Sequence, residues 1–142
     1  MKMILKDTKI FMRDLMLINT PISLGELVDK ISILIIKQKN ITDETKLDHV
    51  KKELDFLQKT LINYVQQEEI KNYLENLINI NSKLWNIEDD IRECERKKLF
   101  DQTFIDLARS VYFTNDERAK VKNDINKTFG SELVEVKSYE EY

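Results

Sequence analysis

The chain has 142 residues, of which 35% are charged and 42% hydrophobic, with two glycines, one proline and a net charge of −3. That length suits one domain around one core, and the scarcity of turn residues disfavours sandwiches and barrels and favours long helices. The acidic balance argues against nonspecific nucleic-acid binding, which needs Lys and Arg against phosphates.

The start, "MKMILKDTKIF", breaks its apolar residues with Lys6, Asp7 and Lys9, so it lacks the apolar core of a secretory signal. No run approaches the ~20 apolar residues of a membrane span. One cysteine, Cys94, excludes an intrachain disulfide and fits a reducing compartment. The chain is therefore expected to be cytoplasmic, with no membrane and no nucleic acid as partner. Residues 1–19 form an N-terminal extension, a short strand or an extra helix, and residues 20–142 form a single helical domain.

Thr20-Pro21 ends the extension, because proline pushes its predecessor out of helical geometry. Ser23 is placed to cap the next helix. Its hydroxyl accepts from the amide of Glu26, and the Glu26 carboxylate reaches back, which makes a capping box. Leu24, Leu27, Val28, Ile31, Leu34, Ile35 and Gln38 trace a buried stripe that Ile33 and Ile36 widen, so this helix, ending near Asn40, is central. Thr42 or Asp43 starts a second helix, in which Leu47, Val50, Leu54, Leu57, Leu61 and Tyr64 alternate spacings of three and four as a heptad seam does. A third helix continues the signal with Ile70, Tyr73, Leu77, Ile80, Leu84, Ile87, Ile91 and Cys94. A tight turn near Gln66-Gln67-Glu68 would make these two an antiparallel hairpin. Leu74, Ile78 and Trp85 broaden the third helix's apolar face beyond what one neighbour needs.

After Lys97-Lys98 the pattern resets. Asp101 caps a short helix with Phe104, Ile105, Ala108, Val111 and Tyr112 inward. Thr114 and Glu117 then form a second capping box for a helix ending at Phe129, with Gly130 where a terminating glycine belongs. The tail "SELVEVKSYEEY" reads as a short strand or an extended arm docked on the bundle. The expected fold is all-α: a long antiparallel, coiled-coil-like hairpin over roughly 43–97, packed with the central amphipathic helix and two short C-terminal helices. Such a hairpin leaves apolar surface exposed, so a homodimer is expected.

Several charges share helix faces. Glu26, Asp29 and Lys30 lie on one stripe of the first helix; Glu88, Asp89 and Arg92 follow Trp85 on the third. Arg109 and Tyr112 share a face of the next. Arg118, Lys122 and Asn126 stand at steps of four, with Asn115 and Asp116 at the preceding helix start, whose free amides would suit an anion. In a chain so rich in charge the plain reading is solvated surface. The sharper one is a site for Mg²⁺ and a phosphorylated small molecule. Mg²⁺ needs only one or two carboxylates, phosphate oxygens and water completing its octahedron. Glu26, Asp29, Glu88 and Asp89 would be its ligands, with Arg109, Arg118 and Lys122 holding phosphate and Tyr112, Asn115 and Asp116 beside them. His49 reads as a surface residue and Cys94 as a small core residue. No Gly-rich phosphate loop, zinc motif or nucleophile elbow is present.

The segments "PISLGELVDKISIL", "LWNIEDDIR", "FDQTFIDLARSVYFTNDERAKVKNDIN" and "GSELVEVKSY" together resemble a family of small proteins from bacteria and their phages, catalogued as a domain of unknown function. The resemblance covers roughly residues 20–140. It implies a setting near sugar-transferase and surface-polysaccharide genes, and with it a partner enzyme, but no activity. Glu26-x-x-Asp29 is also similar to one carboxylate pair of the MazG and dimeric dUTPase type of helical pyrophosphohydrolase. The second pair departs from that pattern, since Glu88-x-x-Ile91 lacks the acid and Asp90-x-x-Glu93 reverses the order. Two functions follow: a dimeric helical interaction protein, or a Mg²⁺-dependent binder or hydrolase of a nucleotide or nucleotide-sugar.

Overall fold

The computed structural model of the protein describes residues 16–142. Among these residues there are four α-helices and no strand: α1 (Leu24–Asn40), α2 (Glu44–Leu61), α3 (Gln67–Lys97) and α4 (Gln102–Phe129). The strand or helix expected before residue 16 lies outside the described residues, and residues 16–20 adopt neither.

Three of the four helices start where a side chain satisfies a free amide, while α3 begins at Gln66 without a side-chain cap. Ser23 Oγ accepts from Glu26 N at 3.1 Å, Asp43 Oδ1 from Lys46 N at 2.9 Å and Asp101 Oδ1 from Phe104 N at 3.3 Å. The box at Ser23 is half formed, because the Glu26 carboxylate turns instead to Lys122. The chain turns between Leu61 and Gln67, as a hairpin requires. Gly130, at φ 69°, ends α4 in the left-handed conformation that glycine adopts without a Cβ penalty.

Two expectations are corrected. The first is the pair of short C-terminal helices, which is one continuous helix, α4. No glycine or proline occurs from 102 to 129, so nothing obliges a break. Thr114 sits buried in mid-helix with its hydroxyl unpartnered, so its spacing to Glu117 caps nothing. Asn115 and Asp116 therefore stand inside a helix, whose amides bond to the preceding turn.

The second is the pairing of the two heptad seams with each other. Helix α1 packs on α2, α3 and α4, and α3 packs on α4, but α2 and α3 make no close backbone approach. The seam of α2 (Val50, Leu54) meets Leu27, Ile31 and Leu34 of α1. The seam of α3 (Ile70, Leu77, Ile80) meets Val28 of α1 and Val121 and Ile125 of α4. The wide apolar arc of α1 supplies both halves of the core, and burying each such side chain contributes about 1.5–3 kcal/mol before entropy is subtracted. The one exception on that arc is Gln38, which is exposed.

Helix α1 spans about 25 Å, whereas α3 and α4 run about 46 and 42 Å. The far end of the α3–α4 pair therefore extends beyond α1 as a two-helix arm. No residue from 88 to 113 is buried. Residues 131–142 follow as a tail without helix or strand, which is the extended arm rather than the strand.

Candidate functional site

Helices α1 and α4 run antiparallel and very close. An added Cβ on Gly25 would lie 2.4 Å from the carbonyl oxygen of Lys122. This approach sets the stripe of Glu26 and Asp29 against the stripe of Arg118, Lys122 and Asn126. Asp29 is wholly buried. Its carboxylate accepts from Arg118 Nε at 2.9 Å and from Nη2 at 2.5 Å, a two-pronged pair. Asn81 of α3 donates from Nδ2 to Asp29 Oδ1 at 2.9 Å and to Ser32 Oγ at 2.8 Å. The Ser32 hydroxyl in turn donates to the carbonyl of Asp29 at 2.6 Å. Three helices are thus joined through one carboxylate. Its hydrogen bonds hold the Arg118 guanidinium above its ordinary pKa, against the opposing effect of burial.

One turn away, Lys122 Nζ lies 2.8 Å from Glu26 and 2.9 Å from Glu135 of the tail. Burial alone would lower the ammonium pKa. The hydrogen bonds to Glu26 and Glu135 more than offset it, and the net direction is upward. Asn126 Oδ1 accepts from Gly25 N at 2.7 Å and Ser131 Oγ from Leu24 N at 3.2 Å. With Ser23 on Glu26 N, the chain satisfies the first amides of α1 itself.

Further along α4, the tail returns over Tyr112, Asn115 and Asp116. Asp116 accepts from the Tyr142 hydroxyl and lies 3.7 Å from Lys137 Nζ. The rings of Tyr112, Phe113 and Tyr142 cluster with centroids 4.8–5.3 Å apart, and Arg109 lies 5.8 Å over Phe113. The hydrogen bond to Asp116 pushes the Tyr142 phenol up to about 12. Between α4 and the tail is an open cleft of about 680 Å³, lined by Tyr112, Asn115, Asp116, Lys137 and Tyr139–Tyr142 among others. A second groove, of about 380 Å³, lies between the end of α1 and α3. Ile33, Ile36, Leu84 and Trp85 form its apolar wall, Asn81 also lines it, and Lys37, Glu88, Asp89 and Arg92 complete it.

The structure thus brings Glu26, Asp29, Arg118 and Lys122 to one interface, with Asn115 Oδ1 3.5 Å from Arg118 Nη1. It gathers Tyr112, Asn115 and Asp116 in the tail cleft. Glu88 and Asp89 stand apart, exposed on α3, with Glu88 3.4 Å from Arg92. Among the described residues no three His, Cys, Asp or Glu side chains converge as metal ligands would. A phosphate approaching Arg118 or Lys122 would compete with Asp29, Glu26 and Glu135 for them.

Sequence reasoning passed over Asn81, Ser32, Glu135 and Lys137. Asn81 left a trace, since it interrupts the stripe Leu74, Ile78, Trp85 with a polar side chain where an apolar one is due. Glu135 and Lys137 left none, because a tail without secondary structure has no period to read.

With this geometry in place, comparison with known proteins yields one match. Residues 18–142 match a family of unknown function (DUF6165), and the chain belongs to that family. No curated protein and no solved structure matches it. Among the described residues no helix is long and apolar enough to cross a membrane.

Proposed function

We propose that this member of the family is a helical interaction protein that works as a homodimer through the α3–α4 arm. One observation carries the reading. The arm buries none of residues 88–113, yet Leu99, Phe100 and Ile105 at its tip are 51%, 54% and 47% exposed. Large apolar side chains grouped on a projecting element mark an interaction surface. The buried charges of α1 and α4 serve the fold that holds the arm: each cation is matched by carboxylates of the same chain. Hydrogen exchange tests the reading. Amides of residues 88–113 should exchange more slowly in concentrated than in dilute protein, while those of α2 should not change. Equal exchange of the arm at both concentrations would refute it.

A second reading, a Mg²⁺-dependent binder of a nucleotide or nucleotide-sugar, is favoured by one feature. The tail cleft has the volume of a small-molecule site and is lined by Tyr112, Asn115 and Asp116. Thermal shifts with such ligands, with and without Mg²⁺, test it. A ligand at a hundredfold its dissociation constant adds about 2.7 kcal/mol, and a flat panel would dismiss it.

A further inference from the structure

We infer that residues 137–142 of the tail are a strap, caught by Asp116, that covers the outward α4 face of the arm and holds its self-association in check. This rests on the reading of the arm as a self-association surface and adds its regulation.

The covered face runs along α4. Ile105, Arg109, Tyr112, Phe113 and Asp116 follow one another at steps of three and four, so they share a stripe, and all five are exposed. Val111 and Thr114, on the other side of the helix, are half-buried and buried. The outward stripe carries three large apolar side chains, Ile105, Tyr112 and Phe113, which are 47%, 43% and 41% exposed. Tyr142 of the tail lies on two of them. Its ring centroid is 5.3 Å from that of Tyr112 and 5.0 Å from that of Phe113, and its hydroxyl donates to Asp116. The tail thus gives these arm residues an apolar partner within the same chain. A second copy packing on Tyr112 and Phe113 has to displace Tyr142, so docking of the strap and pairing of arms through this stretch exclude each other.

The strap is held loosely. The tail is anchored in its first half, where Ser131 Oγ accepts from Leu24 N at 3.2 Å and Glu135 lies 2.9 Å from Lys122, whose side chain is 7% exposed. Beyond Ser131, whose amide donates to the carbonyl of Asn126, no tail amide donates to a backbone carbonyl. Beyond Glu135, both polar contacts with α4 end on one carboxylate: Asp116 accepts from Tyr142 and lies 3.7 Å from Lys137 Nζ. Tyr139 and Tyr142 stay 84% and 75% exposed. An exposed ion pair favours docking by about fivefold at most, and an aromatic contact by about two- to tenfold. The strap therefore exchanges between a docked and a released state, and Asp116, which serves both polar contacts, is its catch.

Solution NMR and sedimentation equilibrium on the 142-residue chain test this. In dilute wild type, the Tyr142 and Phe113 rings should show a nuclear Overhauser contact. The amides of 137–142 should be more restrained there than in Asp116→Ala and Tyr142→Ser, whose exposed positions leave the helical melt unchanged. Both variants should self-associate about three- to tenfold more tightly than wild type. Val136→Ser, in the tail but off the catch and 82% exposed in the wild type, should not. Adding Phe113→Ser to Tyr142→Ser should abolish the gain, because the uncovered face is then no longer apolar. A tail that stays docked in Asp116→Ala, or a released strap with no tighter self-association, would overturn the inference and leave the arm reading standing. A chain that is monomeric at every concentration, strap docked or released, would overturn both.

Discussion

Replacing Arg118 by alanine should cost more stability than replacing its partner Asp29, and the structure says why. Asp29 is wholly buried, whereas the Arg118 side chain is 27% exposed. In Arg118→Ala the carboxylate stays in the interior with Asn81 as its one remaining side-chain donor. Breaking a buried pair by removing one member costs about 3–5 kcal/mol, and this variant belongs at the upper end. In Asp29→Ala the guanidinium can turn toward water, so the loss belongs near about 3 kcal/mol. At an unfolding entropy of about 2 cal/mol/K per residue, each kcal/mol lowers the midpoint by about 3–4 °C for a chain of this length. The expected falls are therefore about 10 °C for Asp29→Ala and about 15 °C for Arg118→Ala, read by circular dichroism and by urea titration. Asp29→Leu combined with Arg118→Leu should recover part of the loss, because neither charge is then stranded. Two single variants that each cost under about 1 kcal/mol would refute the reasoning, since that is the worth of a surface pair.

Gly25→Ala should destabilise by about 1–3 kcal/mol, the cost of forcing two backbones apart, and a urea midpoint at or above wild type would contradict it. Ser23→Ala should cost about 1 kcal/mol as a lost cap. Glu26→Gln should cost less than that, because Lys122 keeps Glu135; thermal melts separate the two. At high pH the sign follows from the upward shifts. The Lys122 ammonium has a folded pKa above its ordinary 10.5, so its contribution is complete below that value and is lost as pH rises through the folded pKa. Lys122→Met should therefore be less stable at neutral pH and lose less stability between about pH 10 and 12, as urea titrations across that range would show. Tyr142 should ionise near 12, later than an ordinary phenol, and Asp116→Asn should bring it down, as phenolate absorbance will show.

The helices were legible because their cues are local. Caps at Ser23, Asp43 and Asp101, the seams of α2 and α3 and the glycine at 130 all act within a few residues, and they stand except at Tyr64, which lies past the end of α2 at Leu61 and is exposed. What a seam faces is not local. The periods of α2 and α3 mark apolar faces equally well whether they meet each other or, as here, α1 and α4. The false break at Thr114 has the same origin, since a hydroxyl three residues before a glutamate caps only where a helix happens to begin. At the charged interface, spacing picked out Glu26, Asp29, Arg118 and Lys122, but their roles depended on geometry. Spacing shows that residues share a face; only the close approach at Gly25 shows that the two faces meet and neutralise one another.

Sedimentation equilibrium of the full chain, run beside Phe100→Ser/Ile105→Ser over a wide concentration range, tests the central claim most directly. The account predicts twice the chain mass for the wild type and the single chain mass for the variant, at equal helical content. A wild type that stays at the single chain mass throughout, or a variant as dimeric as the wild type, would contradict it.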